Sequence, residues 1–364
     1  MNDRYDGFRA VAQDLSLDAV ALVPSANFRR LFDANFHQSE RPLLVVIPVE
    51  GVPCAIVPKL ELGSFSAIEF EGEVFDWMDQ AGYQSAFDRL FKSSNIKRIG
   101  VEGQAMRVFV HHAIKAANNE LEVIDAQKEL AALRICKDEN EISALRKAIA
   151  VSEHALQETI DQVQVGMTEK QIESVLVQSL FAAGADEMSF DPIVAAADNS
   201  AKPHASARID YKIKAGDALL IDFGARVDGL CADITRTFFI QQYSEQQRQV
   251  YETVLAANLA GCAAVKPAAT AHDIDDVTTN MLEESKYKDR IQHKTGHGLG
   301  RDVHEDPYIM RGNHQALEPG MVFTIEPGLY QLGEFGVRIE DDILVTESGC
   351  EVLTSFNKSL TCIG

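Results

Sequence analysis

Up to about residue 125 the chain alternates short, unbroken apolar runs with amphipathic stretches. Residues 18–24 (DAVALVP), 42–48 (PLLVVIP), 53–58 (PCAIVP), 98–102 (RIGVE) and 121–124 (LEVI) read as buried strands. Residues 3–15 and 106–119 read as helices between them. This alternation predicts an α/β layer. Near Lys137 the pattern changes: Asp138 is a candidate N-cap with Glu141 three residues on, and Ile142, Leu145, Ala148 and Ile149 follow at helical spacing. That helix is expected to run to about Val163, and a second to span 169–182 and end at Gly184. The domain boundary is expected just before the long helix, near Ile135, giving an N-terminal domain over about 1–130 and a second over 131–364. From Met188 onward the pattern becomes strand pairs separated by Gly, Pro and Asp, with helices at about 244–265 and 271–286.

The stretch 221–238, IDFGARVDGLCADITRTF, reads as two strands joined at Asp228-Gly229, a dipeptide suited to a two-residue turn. That turn sets Asp222 opposite Thr235 and puts Asp233 on the same face as Asp222. Diagonal neighbours of this kind lie about 7–8 Å apart. Two buried carboxylates at that distance repel each other and are costly to desolvate. Either they are polar tips of an ordinary hairpin or a cation lies between them.

Residues 324–345 form a second apparent hairpin with its bend near Gly333. Symmetric folding sets Glu326 and Glu340, both in apolar settings (TIEP, RIED), face to face. Between the hairpins, HKTGHGLGRDVHE (293–305) holds His293, His297 and His304 among glycines. This spacing is not the HExxH of a zincin helix. Four carboxylates and an imidazole make a hard donor set suited to Mn²⁺, Co²⁺ or Fe²⁺, with Zn²⁺ also compatible. Their four negative charges match two divalent ions, and a pair of such ions is a known hydrolytic device. By contrast, the pair His111-His112 lies in a helical stretch of the first domain and reads as a surface feature.

Composition narrows the classes. The 364 residues are 46% hydrophobic and 24% charged, ordinary for a globular protein of two domains. A formal charge of −21 speaks against nucleic-acid and anionic-membrane binding, since both need a positive surface. No apolar run approaches the roughly 18 residues that cross a bilayer. The start, MNDRYDGFRAVAQDL, lacks a secretory pattern, and the six cysteines are scattered without CxxC pairs. A cytoplasmic protein with reduced thiols is expected. Cys231, two residues from Asp233, reads as an ordinary packed thiol, with redox sensitivity as the other reading.

These segments resemble the creatinase, aminopeptidase P and prolidase family of metallopeptidases, and the likeness covers the whole chain. It implies an α+β "pita-bread" catalytic domain preceded by a creatinase-type α/β domain. It places the family's metal ligands on Asp222 (LLIDFGA), Asp233 (CADITRTF), His297 (TGHGLG), Glu326 (TIEPGLY) and Glu340 (VRIEDD). Asp233 and Glu340 would bridge two divalent ions, Mn²⁺ being the first expectation. Asp222 would chelate one ion, and His297 and Glu326 the other. His204 (in SAKPHA), His293 and His304 would contact substrate, and Arg338 would orient Glu340 or meet the substrate carboxylate. The implied activity is hydrolysis of an Xaa-Pro bond, as a dipeptidase or an aminopeptidase, by a metal-bridging hydroxide. Glu326 would accept the water's proton, His304 would stabilise the oxyanion, and His204 would aid protonation of the leaving nitrogen. The expected substrate is a small peptide with proline second, and the expected assembly a homodimer. The alternatives carried are a same-fold hydrolase or lyase acting on a non-peptide small molecule, and a catalytically silent relative that only binds. All five ligands being present weighs against the silent relative.

Overall fold

A computed structural model describes residues 4–364. The chain divides into two compact units, one ending at Arg134 and one spanning Ile135–Gly364.

The first unit is built on a six-stranded mixed sheet, in spatial order Glu73–Trp77, Cys54–Pro58, Leu44–Pro48, Ala19–Leu22, Arg98–Val101 and Glu122–Asp125. Its central strands are apolar at every position because both faces are covered. Ala19, Ala21, Leu44 and Val46 pack with Phe87 and Ile114 on one side. Val20, Leu22, Val45 and Ile47 pack with Phe28 and Leu130 on the other. Leu130 lies in the helix Gln127–Ala132, which therefore belongs to this unit. The sequence pattern misses the edge strand Glu73–Trp77. Only Phe75 and Trp77 of it are buried, and acidic residues break its run.

In the second unit the helices are Glu139–Ile160, Glu169–Ala183, Glu245–Ala264 and Ala271–Glu283. Each starts at a capping box: Asp138 with Glu141, Thr168 with Gln171, Ser244 with Gln247, and Thr270 with Asp273. Gly184, left-handed at φ +106°, closes the second helix as expected. The first two helices bury Leu156, Ile172 and Leu176 against Val194, Leu219 and Ile221 of a four-stranded sheet. The other two bury Cys262 and Ile274 against Phe323, Ile325 and Ile343 of a five-stranded sheet. Each helix pair thus covers one face of one sheet. Asp222 sits between Ile221 and Phe223, both in the first of these cores, so strand alternation turns its carboxylate to the opposite face. These are the elements of the α+β pita-bread catalytic domain and the creatinase-type α/β domain before it.

Both hairpins fold in the expected register. Asp228 (φ 51°) and Gly229 (φ 77°) both adopt the left-handed backbone of a type I′ turn. Val227 pairs with Leu230, and further along Asp222 pairs with Thr235. In the second hairpin Val322–Ile325 pairs with Asp341–Val345 and Gly328–Tyr330 with Gly336–Arg338, in one continuous register. Glu326 and Glu340 fall opposite each other in the gap between these ladders.

Candidate metal centre

Asp222 is carried by the strand Ala218–Phe223, and Asp233 immediately precedes Ile234–Ile240. His297 is the middle residue of Gly296–Gly298. A Cβ on Gly296 would lie 1.9 Å from the carbonyl oxygen of Thr324, and one on Gly298 would lie 2.2 Å from that of Asp306. Only glycines there let the histidine strand fit between its neighbours. The two hairpins are stitched together near the ligands: the Glu340 amide donates to the Thr235 carbonyl at 3.1 Å, and the Asp233 amide donates to Asp342 Oδ2 at 3.2 Å.

All nine residues singled out in the sequence line one cavity of about 630 Å³: His204, Asp222, Asp233, His293, His297, His304, Glu326, Arg338 and Glu340. Ligand atoms of Asp233, His297 and Glu340 lie within 4.8 Å of one another. His297 Nε2 is 3.3 Å from Glu326 Oε1 and 3.8 Å from Asp233 Oδ2. Its Nδ1 faces the Gly298 carbonyl at 3.2 Å, which turns Nε2 toward the carboxylates, where it donates to Glu326 when protonated and offers its lone pair to a metal ion otherwise. Asp222 Oδ1 and Asp233 Oδ1 are buried without a hydrogen-bond partner. Unpartnered buried carboxylate oxygens beside an imidazole lone pair fit a divalent cation.

The electrostatics agree. Burial, together with the neighbouring acids, pushes Asp233 and Glu340 well above the usual carboxylate range. Burial raises Asp222 as well, against the pull of Arg338. Glu326 is the exception: burial raises it too, but the hydrogen bond and charge of His297 prevail and bring it down to about 2. Protons or cations must neutralise the other three.

Thr235, Tyr330 and Asn258 help hold this arrangement and were not singled out as site residues in the sequence. Arg338, 3% exposed, donates from Nε to Thr235 Oγ1 (3.0 Å), from Nη1 to Tyr330 Oη (2.8 Å), and from Nη2 to Asp222 in a very short contact. Thr235 Oγ1 donates in turn to Glu340 Oε2 at 2.6 Å. Arg338 therefore reaches Asp222 directly and Glu340 through one hydroxyl. Tyr330 Oη also meets His293 Nε2 at 2.8 Å, while His293 Nδ1 faces the Lys294 carbonyl. Both nitrogens of His293 are thus engaged within the protein, and its ring lines the cavity. Asn258, fully buried in Glu245–Ala264, donates from Nδ2 to the carbonyls of Ile325 (3.0 Å) and Ile339 (3.4 Å), each just before a glutamate. A buried asparagine inside an apolar helix face was the available signal for it. His304 packs edge-on against His297 at 4.1 Å between ring centroids, and burial lowers its pKa to about 4. His204 lies at the exposed end of the cavity.

Comparison with known proteins agrees with this geometry. Residues 143–347 match the metallopeptidase family M24, and residues 4–136 match the creatinase/prolidase N-terminal domain. An uncharacterized peptidase of Staphylococcus aureus (strain MSSA476) is 33% identical over 319 residues, 88% of this chain and 89% of its own. A prolidase from Thermococcus sibiricus superposes with a TM-score of 0.94 at 32% identity, covering 100% of both chains. An X-Pro aminopeptidase from Thermotoga maritima superposes at 0.82 with 31% identity, covering 97% of this chain and 100% of its own. The chain belongs to metallopeptidase family M24: it is a peptidase whose family works with divalent metal ions. Among the described residues, no helix is long and apolar enough to cross a membrane.

Proposed function

We propose that this protein hydrolyses the bond between a first residue and a following proline, using two divalent ions, Mn²⁺ being the first candidate. The observation that carries this reading is the convergence of Asp222, Asp233, His297, Glu326 and Glu340 on one cavity with unpartnered carboxylate oxygens. The names of the Thermococcus and Thermotoga proteins support the proline specificity.

Asp222, Asp233, His297, Glu326 and Glu340 would hold the ions. When bound, the ions would supply water activated as hydroxide near neutral pH and Lewis acidity toward the scissile carbonyl. Glu326 is the carboxylate proposed to accept the water's proton and pass it on. His304, neutral at pH 7 with its pKa near about 4, offers an N–H to the developing oxyanion without adding a charge. His204, at the open end, faces the leaving nitrogen and assists its protonation. Proline's nitrogen has no hydrogen to donate, so shape must recognise it. Phe190, Ile193 and Val303 supply the apolar wall. The homodimer implied by the family resemblance is part of the same proposal, and light scattering at micromolar concentration checks it.

The test is hydrolysis of Ala-Pro and Ala-Pro-Ala-Ala after chelation and after reloading with Mn²⁺ or Co²⁺. Activity should vanish on chelation and return with about two ions bound per chain. No cleavage of any Xaa-Pro peptide under either metal rejects the reading.

A further inference from the structure

We propose that a groove beyond His204 binds the part of a peptide that follows the proline, so that the preferred substrates are longer than dipeptides. This rests on the Xaa-Pro reading above and settles which peptides that site accepts. A hollow of about 790 Å³ adjoins the catalytic cavity, and Ile193 and His204 line both. Each volume is within the range typical of ligand sites, roughly 300–1,000 Å³. The cavity has a closed end and an open one. Asp222, 7% exposed beneath Arg338, marks the closed acidic end, whereas His204 is exposed. The free amine of the first residue is cationic and belongs with the carboxylates. A chain leaving past His204 is therefore the part on the C-terminal side of the proline.

The groove's surface suits a peptide main chain. Ala205 and Ala207 form a floor of small residues, and Val177 and Ser174 of the helix Glu169–Ala183 form a wall. Residues 205–208 belong to no helix or strand. Their hydrogen bonds use the amide of Ala205, the carbonyl of Ser206 and both groups of Arg208. Among the described residues this leaves the main chain of Ala207 for a ligand.

Charge points the same way. In the groove, Lys170 is paired with Glu173, and Asp191 lines the same hollow. Uncharged amides fit there better than a terminal carboxylate.

The experiment compares kcat/KM for Ala-Pro and Ala-Pro-Ala-Ala in the metal-loaded protein, then repeats both with Ser174→Trp and, separately, Gln178→Trp. Both positions are exposed on the helix, so the fold should tolerate either change. The wild type should favour the tetrapeptide. Each tryptophan should lower kcat/KM for it by about tenfold, mainly through KM, and leave Ala-Pro unchanged. Cleavage of Ala-Pro with no cleavage of the tetrapeptide overturns the proposal and leaves the Xaa-Pro reading standing. Equal effects of the tryptophans on both peptides, or none on either, also overturn it. If neither peptide is cleaved, both readings fail together.

Discussion

The hydroxyl of Thr235 donates to Glu340 Oε2 at 2.6 Å and accepts from Arg338 Nε at 3.0 Å. One small side chain, opposite Asp222 in the first hairpin, thus ties a glutamate of the second hairpin to the arginine that grips Asp222. Thr235→Val keeps the volume and removes the hydroxyl. Metal affinity or kcat/KM should fall by about 10–100-fold, the usual effect of losing a partner that orients a ligand. Thr235→Ser should recover most of the loss. Titration calorimetry with Mn²⁺ separates the affinity effect from catalysis.

Arg338 presents a planar fork to three acceptors at once. Arg338→Lys keeps the charge and loses that geometry, so it should behave almost like Arg338→Met in peptide assays. A lysine variant with wild-type kcat/KM would show that charge alone suffices.

Asn258 clamps the main chain just before both glutamates. Asn258→Ala leaves two buried carbonyls without their donor and should destabilise the protein by about 1–3 kcal/mol, visible in urea unfolding. Weaker Mn²⁺ binding should accompany it, because the spacing of Glu326 and Glu340 is no longer held.

Lys137 and Glu305 form a pair at 2.7 Å with both side chains 2% exposed. Lys137→Met removes the cation from a buried ion pair and should cost about 3–5 kcal/mol. The double change Lys137→Met with Glu305→Gln should recover much of that. Thermal unfolding of the wild type and the two variants measures it.

Metal dependence should itself depend on pH. In the metal-free fold Asp222, Asp233 and Glu340 have pKa values raised above 3.8 for aspartate and 4.5 for glutamate. Between those ordinary values and the raised ones, the folded protein holds more protons than the unfolded chain. Metal-free stability therefore falls as pH rises through that window. Glu326, lowered to about 2, acts in the opposite sense, its contribution fading only as pH falls from about 4.5 toward 2. Cations replace the protons, so the Tm gained on adding Mn²⁺ should grow as pH rises above the ordinary carboxylate values. Calorimetry showing a constant or shrinking gain would contradict the proposed ligand set.

Much of this site was legible before any coordinates. The turn at Asp228-Gly229 and the symmetry about Gly333 set which residues face each other, because a two-residue period and a tight turn determine register locally. Chemistry-bearing residues in apolar company marked Asp222, Asp233, Glu326 and Glu340. Tyr330, Thr235 and Asn258 were harder to read. Each is an ordinary residue for its strand or helix, and its role exists only through partners up to 103 positions away, as with Thr235 and Arg338. The edge strand Glu73–Trp77 escaped because a strand with one exposed face and few apolar residues carries little periodic signal.

Sequence alone determined the helix starts of the second unit, the registers of the two hairpins and the set of carboxylates and imidazoles, since caps, turns and alternation act over a few residues. Tertiary structure alone decided that the hairpins meet, through contacts such as the Glu340 amide on the Thr235 carbonyl and the Asp233 amide on Asp342. Such contacts join segments roughly a hundred residues apart. They follow from how two sheets pack under their helix pairs, and no local pattern along the chain encodes that.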